Sequence, residues 1–362
     1  MCTFGKSIRA NNNKLAMRAI IFGSKVQPRD VTIGIDQFSF EVKAGNPFCG
    51  VKNIPDGIHV IHFSSSDEET ECVRYGYWFE ETKGRYLQFD ETSGAYSVLK
   101  ESDDAKYDTM IEMHSHLMVS YPKIEETNWY ELTSCITYEQ IQTLTGNEPP
   151  YVDSSMTTQE ESRVLNDKLK NRYDQQSAPH FDYTNIQFKS HDAIRDTHRM
   201  EDYTDKSHYL NHVIVARSYK GHINRLLGEL QFAFCNALLF GNYGSSLQWH
   251  SIVELVTFST QVSTSLIKRL DSILALQLET LPDEYCATLI NQEMWLRCLT
   301  VSHMSNKLPR TKRVYDNKFN STSSDEDSES DHQLPNIDSD EDEDEPTVVS
   351  GVLSFPASSG IF

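Results

Sequence analysis

Two hydrophobic periodicities divide this chain. From Val31 to about Tyr151 the apolar residues recur at every second position. Val31, Ile33 and Ile35 alternate with small or polar residues, the phase breaks at Asp36 and Gln37, and Phe38, Phe40 and Val42 resume it. That pattern predicts two short strands or one bulged strand. Residues Gly57 to Phe63 and Arg74 to Phe79 read as further strands. Lys83 and Gly84 then precede Tyr86 to Phe89, and Thr92 to Gly94 precede Tyr96 to Val98, which is the spacing of an antiparallel meander. Residues 110 to 120 also read as a strand, with Ile111, Met113, Leu117 and Val119 on one face and His114 and His116 on the other.

Beyond Asp153 the period changes. Residues 154 to 182 are mostly polar and serve as a linker, with a helix-compatible stretch from Thr158 to Lys170. Ile223, Leu227, Leu230, Phe234 and Leu238 then step by three or four, marking one buried face of a helix that stops near Gly241. Ser245 or Ser246 is expected to cap the next helix, which carries Trp249, Ile252, Val253 and Val256. Leu266, Leu270, Ile273, Leu274 and Leu278 line a third, closed by Pro282, and Leu289, Trp295, Leu296 and Leu299 predict more helix before Pro309. The expected fold class is α+β: a mainly-β domain over residues 31 to 153, an all-helical domain over 183 to 310, and a tail.

Charge sharpens the picture of that tail. Twelve of the chain's 53 carboxylates lie in residues 321 to 362, where there is no lysine or arginine, so most of the formal charge of -20 sits there. Such a segment buries too little apolar surface to offset the entropy of ordering, and residues 311 to 345 are expected to form a disordered acidic tether. Residues 346 to 362 differ, because Val348, Val349, Val352, Leu353 and Phe355 are branched or aromatic and suit a strand added to the sheet edge of a partner. The remaining body is only mildly acidic and shows no basic footprint for nucleic acid. No apolar run approaches a membrane span. Seven scattered cysteines without a Cys-x-x-Cys pair point to reduced thiols. Residues 1 to 30 read as a flexible basic extension, with Met17 as an alternative start.

The candidate chemistry is sparse. His59 and His62, three apart in a predicted strand, point to opposite faces and cannot share an ion. His114 and His116 share a face but lack a third ligand, and His191 and His198, on the same side of a possible helix, read as solvated imidazoles. Gly241 to Ser246 lacks the lysine of a phosphate loop and joins helix to helix. No catalytic residue, cofactor site or metal site is therefore expected. A metal-dependent hydrolase using His114 or His116, or an adaptor whose tail docks on its own body, are the competing readings. Candidate phosphorylation sites are Ser323, Ser324, Ser328 and Ser339, each with an acid three residues on, and Ser259 at a helix end.

Several longer words carry a resemblance: Val31 to Phe40, Arg74 to Phe79, Met118 to Ile124, Tyr151 to Thr158, Gly228 to Phe234, Gly241 to His250 and Pro346 to Gly351. In these the chain resembles the A1 cistron-splicing factor family, the assembly factor of the U5 small nuclear ribonucleoprotein (snRNP), and looks close to its yeast form. The resemblance implies a β-rich N-terminal domain, a helical C-terminal domain similar to the VHS fold, and no enzymatic activity. It also implies, as partners, the large U5 scaffold protein, engaged at its RNase H-like and MPN-like domains, and the U5 snRNP core as precursor particle. Binding would hold that precursor in the cytoplasm and keep helicase and RNA off the scaffold until the nucleus.

Overall fold

The computed structural model describes residues 18–23, 25–65, 73–80, 85–99, 104–123, 128–169, 179–304 and 306–319. The first strand comes earlier than the alternation predicts. β1 (Ala19–Phe22) is fully buried and runs inside a five-stranded sheet of order β8-β7-β1-β4-β9, so the body begins within the stretch read as a flexible extension. Its neighbours are β4 (Gly50–Lys52), antiparallel, and β7 (Arg85–Asp90), parallel. β8 (Ala95–Leu99) pairs antiparallel with β7, as the meander spacing predicts, and β9 (Met118–Ser120) closes the other edge parallel to β4. A second sheet has the order β10-β6-β5-β2-β3. Its strands are β2 (Val31–Ile35), β3 (Phe38–Val42), β5 (Ile58–Ser65), β6 (Tyr75–Glu80) and β10 (Tyr151–Asp153). The phase break at Asp36 is a hairpin, with Ile35 paired to Phe38 and Asp36 at φ 54°, a left-handed conformation that aspartate tolerates.

Alternation gives each sheet two apolar faces. Ile20, Phe22, Val51 and Leu87 of the first sheet meet Ile33, Phe40, Ile61 and Phe63 of the second in one core. The outer face of the first sheet, Ala19, Ile21 and Met118, is covered by Ile111 of helix α1 (Asp104–His114). Residues 110 to 120 are thus not one strand: the helix and a 3-10 turn (Ser115–Leu117) precede β9. Met113, placed on the apolar face by the strand reading, is exposed.

The outer face of the second sheet joins the helical half in a single core. Ile58, Val60, Trp78 and Val152 cluster with Trp129, Leu132, Ile141 and the apolar residues of the C-terminal helices. Helices α2 (Trp129–Leu132) and α3 (Tyr138–Thr145) lie within the region read as β-rich, and α3 packs on α6 (Ile223–Phe240). The linker is stitched in as well, because β11 (Thr157–Thr158) pairs with β12 (His180–Phe181) and both Met156 and Phe181 are buried. α4 (Gln159–Leu169) follows β11, where helix was expected. The remaining helices are α5 (Arg199–Thr204), α7 (Tyr243–Thr257), α8 (Thr264–Thr280), α9 (Asp283–Leu289), α10 (Gln292–Thr300) and α11 (Pro309–Phe319), with a π-type segment at Tyr209–Ser218. α11 carries the helical half beyond residue 310, with Val314 and Tyr315 in the core. An N-terminal β-sheet region followed by a helical region is the architecture that the periodicities predict.

Candidate functional site

α6 is the structural centre of the molecule. Every residue from Leu226 to Phe240 is buried, so the single apolar face expected from its spacing extends around the whole helix. Three of those residues are strongly polar, and a buried polar group without a partner costs about 1 to 3 kcal/mol. Each has found one on another element. Gln231 accepts from the backbone N–H of Cys135 at 2.7 Å and donates to the Glu131 carbonyl at 2.9 Å, which ties α6 to α2. Asn236 accepts from the Trp78 indole at 3.0 Å and donates to the Tyr183 hydroxyl at 3.4 Å. Glu229 accepts from the Thr184 N–H and hydroxyl, the Tyr219 hydroxyl and the Gln248 amide, all between 2.8 and 3.0 Å. Burial raises the Glu229 carboxyl above its ordinary value, against the pull of those four donors. Gly228 is required by the same packing, since a Cβ there would stand 2.3 Å from Gln140 Oε1 and 2.6 Å from the Cys135 carbonyl.

The turn that ends α6 extends this seam. Gly241 closes the helix at φ 62°, and the guanidinium of Arg74, entering β6, donates to the Leu239 carbonyl in the last helical turn at 3.0 Å. Asn242, not Ser245 or Ser246, caps α7: its Oδ1 accepts from the Ser245 N–H at 2.8 Å. The amide nitrogen of the same side chain donates to the Met156 carbonyl at 2.7 Å and so holds the linker. Asn242, Ser245, Ser246 and Trp249 are buried, whereas Tyr243 and Leu247, one helical turn apart, are 65% and 44% exposed. A partner can reach those two and little else of this turn.

The histidines take structural places. His59 Nδ1 lies 2.7 Å from Asp36 Oδ2, and its Nε2 faces the Pro55 carbonyl, so both ring nitrogens are engaged. The Tyr121 hydroxyl donates to the same Asp36 oxygen at 2.6 Å. His62, on the opposite strand face as predicted, meets the Asp36 carbonyl at 3.0 Å and lies against Phe240. Complete burial, with the Arg74 charge nearby, holds His62 down to about 3. His114 is buried at the end of α1 and His116 is exposed on the following turn; burial lowers His114. His191 stands in an exposed turn and His198 in a 3-10 turn, not along one helix. Among the described residues no group of three or more His, Cys, Asp or Glu could hold a metal ion, and no helix is long and apolar enough to cross a membrane. Cys235 and Cys298 are buried free thiols, the latter pushed up to about 12 by burial.

Of the phosphorylation candidates, Ser259 is fully buried beyond the C-terminus of α7, and its hydroxyl donates to the Leu255 carbonyl at 2.7 Å. Ser323, Ser324, Ser328 and Ser339 lie outside the described residues, as do Val348, Val349, Val352, Leu353, Phe355 and Met17. The periodicity missed the polar residues of α6, although Glu229, Gln231 and Asn236 standing in an otherwise apolar helix are the visible signal of buried, partnered side chains.

The words on which the resemblance rests are largely these seam residues: Arg74 and Trp78, Val152 and Met156, Gly228 to Phe234, and Gly241 to Trp249. Comparison with known proteins agrees. Residues 20–146 match the AAR2 N-terminal domain and residues 183–329 the AAR2 C-terminal repeat region. The chain is 42% identical over 345 residues to A1 cistron-splicing factor AAR2 of Saccharomyces cerevisiae, covering 90% of this chain and 96% of that one. It is 23% identical to the AAR2 homolog of Oryctolagus cuniculus over 277 residues, 74% of each chain, and 23% identical to that of Pongo abelii over 327 residues, 78% of this chain and 82% of that one. The chain belongs to the AAR2 family.

Proposed function

We propose that this protein is a pre-mRNA splicing factor that works as an assembly chaperone of the U5 snRNP without catalysing a reaction. It binds the large U5 scaffold protein at its RNase H-like and MPN-like domains, and so keeps helicase and RNA away until the cytoplasmic precursor reaches the nucleus. The observation that carries this reading is the 42% identity, over nearly the full length of both chains, with a relative named as a splicing factor. The inward placement of the polar side chains of the seam supports a binding role, because the hydrogen bonds of Arg74, Gln231 and Asn236 are spent on joining the two halves and those of Glu229 on holding the helical half together.

Two surfaces would make the contact. The segment Val348 to Phe355 adds a strand to a sheet edge of the scaffold, and Tyr243 with Leu247 offers a second, weaker patch on the body. A strand that buries few side chains binds weakly by itself, so the body contact raises its effective concentration. The test is the affinity of the full chain for the scaffold's RNase H-like and MPN-like region. Val349→Asp with Leu353→Asp should weaken it at least about tenfold, since each buried apolar side chain is worth about 1.5 to 3 kcal/mol. Tyr243→Asp with Leu247→Asp should weaken it less. Unchanged affinity in the tail variant would remove the strand from the mechanism, and absence of binding by the wild type would remove the partner.

A further inference from the structure

A cleft of 540 Å³ opens where the two halves meet, between α2 and α8 and beside the start of α11. Lys268, Arg269 and Arg310 line it together with Cys135, Glu131 and Glu279, which leaves one net positive charge among its ionisable side chains. The three cations are exposed. Arg269 bonds to Asn224 and, at 3.0 Å, to the Cys135 sulfur; Arg310 bonds to Ser272 at 3.0 Å. Among the described residues none of the three forms an ion pair, whereas Arg18, Arg163, Arg195, Arg217, Arg225 and Arg297 each have a carboxylate partner. Arg313, one turn from Arg310, extends the basic surface along α11. Directly after α11 the sequence places five carboxylates between Asp325 and Asp331. We propose that this acidic segment of the chain docks back into the cleft. The reach suffices: Arg310 lies about 14 Å from the end of α11 at 1.5 Å per residue, and the residues from Phe319 to Asp325 span up to about 20 Å when extended. Docking there sets the direction in which the remaining tail leaves the body. Phosphate on Ser328, inside the segment, adds charge facing the arginines and strengthens the contact.

The test uses the free full-length chain, so it stands or falls separately from the partner. Carbodiimide joins lysine amines to carboxylates in contact, and mass spectrometry of the monomer fraction reads the pairs. Lys268 is expected to join residues 325 to 331 at least about fivefold more often than Lys123 or Lys189 does, and raising salt from about 0.05 M to about 0.5 M should remove most of that excess. Arg310→Gln with Arg313→Gln leaves Lys268 as reporter and should lower its yield about threefold or more. Equal yields at all three lysines, yields indifferent to salt and to the arginine variant, or products confined to the dimer fraction would overturn the proposal, the last by assigning the cleft to a second copy's tail.

Discussion

His62 gives the molecule a pH signature at the scale of one residue. Its value in the folded state, about 3, lies below the ordinary 6.5, so as pH falls the unfolded chain takes up a proton that the folded one refuses. Stability is therefore full above pH 6.5 and declines below it, by about 2 kcal/mol at pH 5 for this group. Urea unfolding at pH 7 and pH 5 should show the loss, and His62→Gln, less stable at pH 7, should show a slope shallower by about one proton; an unchanged slope would assign the effect to other groups. His114 and His250, also lowered by burial, act in the same direction, whereas Glu229, raised, contributes stability that is lost as pH rises through its folded value. Ser259 poses a different single-residue question. A carboxylate in its place would be buried without a cation partner, so Ser259→Glu should lower stability by about 3 kcal/mol or more, against about 1 kcal/mol for Ser259→Ala. Phosphorylation there requires the end of α7 to open first. If Ser259→Glu unfolds at the wild-type denaturant concentration, the hydroxyl is not in the buried place described.

At the scale of elements, the α6–α7 turn is the joint on which the two halves depend. Asn242→Ala removes both the cap of α7 and the bond to the Met156 carbonyl, and should cost about 2 to 3 kcal/mol. Asn242→Asp keeps the cap acceptor but turns a buried carboxylate oxygen toward the carbonyls of Asp153, Ser154 and Met156, so its cost should be the larger; a cost below that of the alanine variant would show that the amide does not face the linker carbonyls. The strands and the three longest helices of the C-terminal half were legible because period two and period three-to-four are imposed by geometry alone. What was not legible depended on distant partners. β1 is only four apolar residues flanked by basic sequence, and its pairing with β4 and β7 cannot be read locally. Residues 110 to 120 offered an alternation that the helix α1 does not use, and Ser245 matched a capping position that Asn242 takes because its amide also meets Met156. The burial of Glu229, Gln231 and Asn236 likewise depends on partners far along the chain, Thr184, Cys135 and Trp78 among them.

For the whole molecule, one core joins the second sheet to the helices, so the described residues of the two halves share one hydrophobic interior. The family relationship and the seam account for the body; the proposed function rests on the segment that contains Val348, Val349, Val352, Leu353 and Phe355. Hydrogen exchange of the amides from Thr347 to Phe355, in the free full-length chain and with the RNase H-like and MPN-like region of the U5 scaffold protein added, tests this most directly. Protection that arises only in the mixture is the predicted result, the mark of a strand that forms on its partner's sheet. Fast exchange in both samples, or protection already present in the free chain, would contradict it.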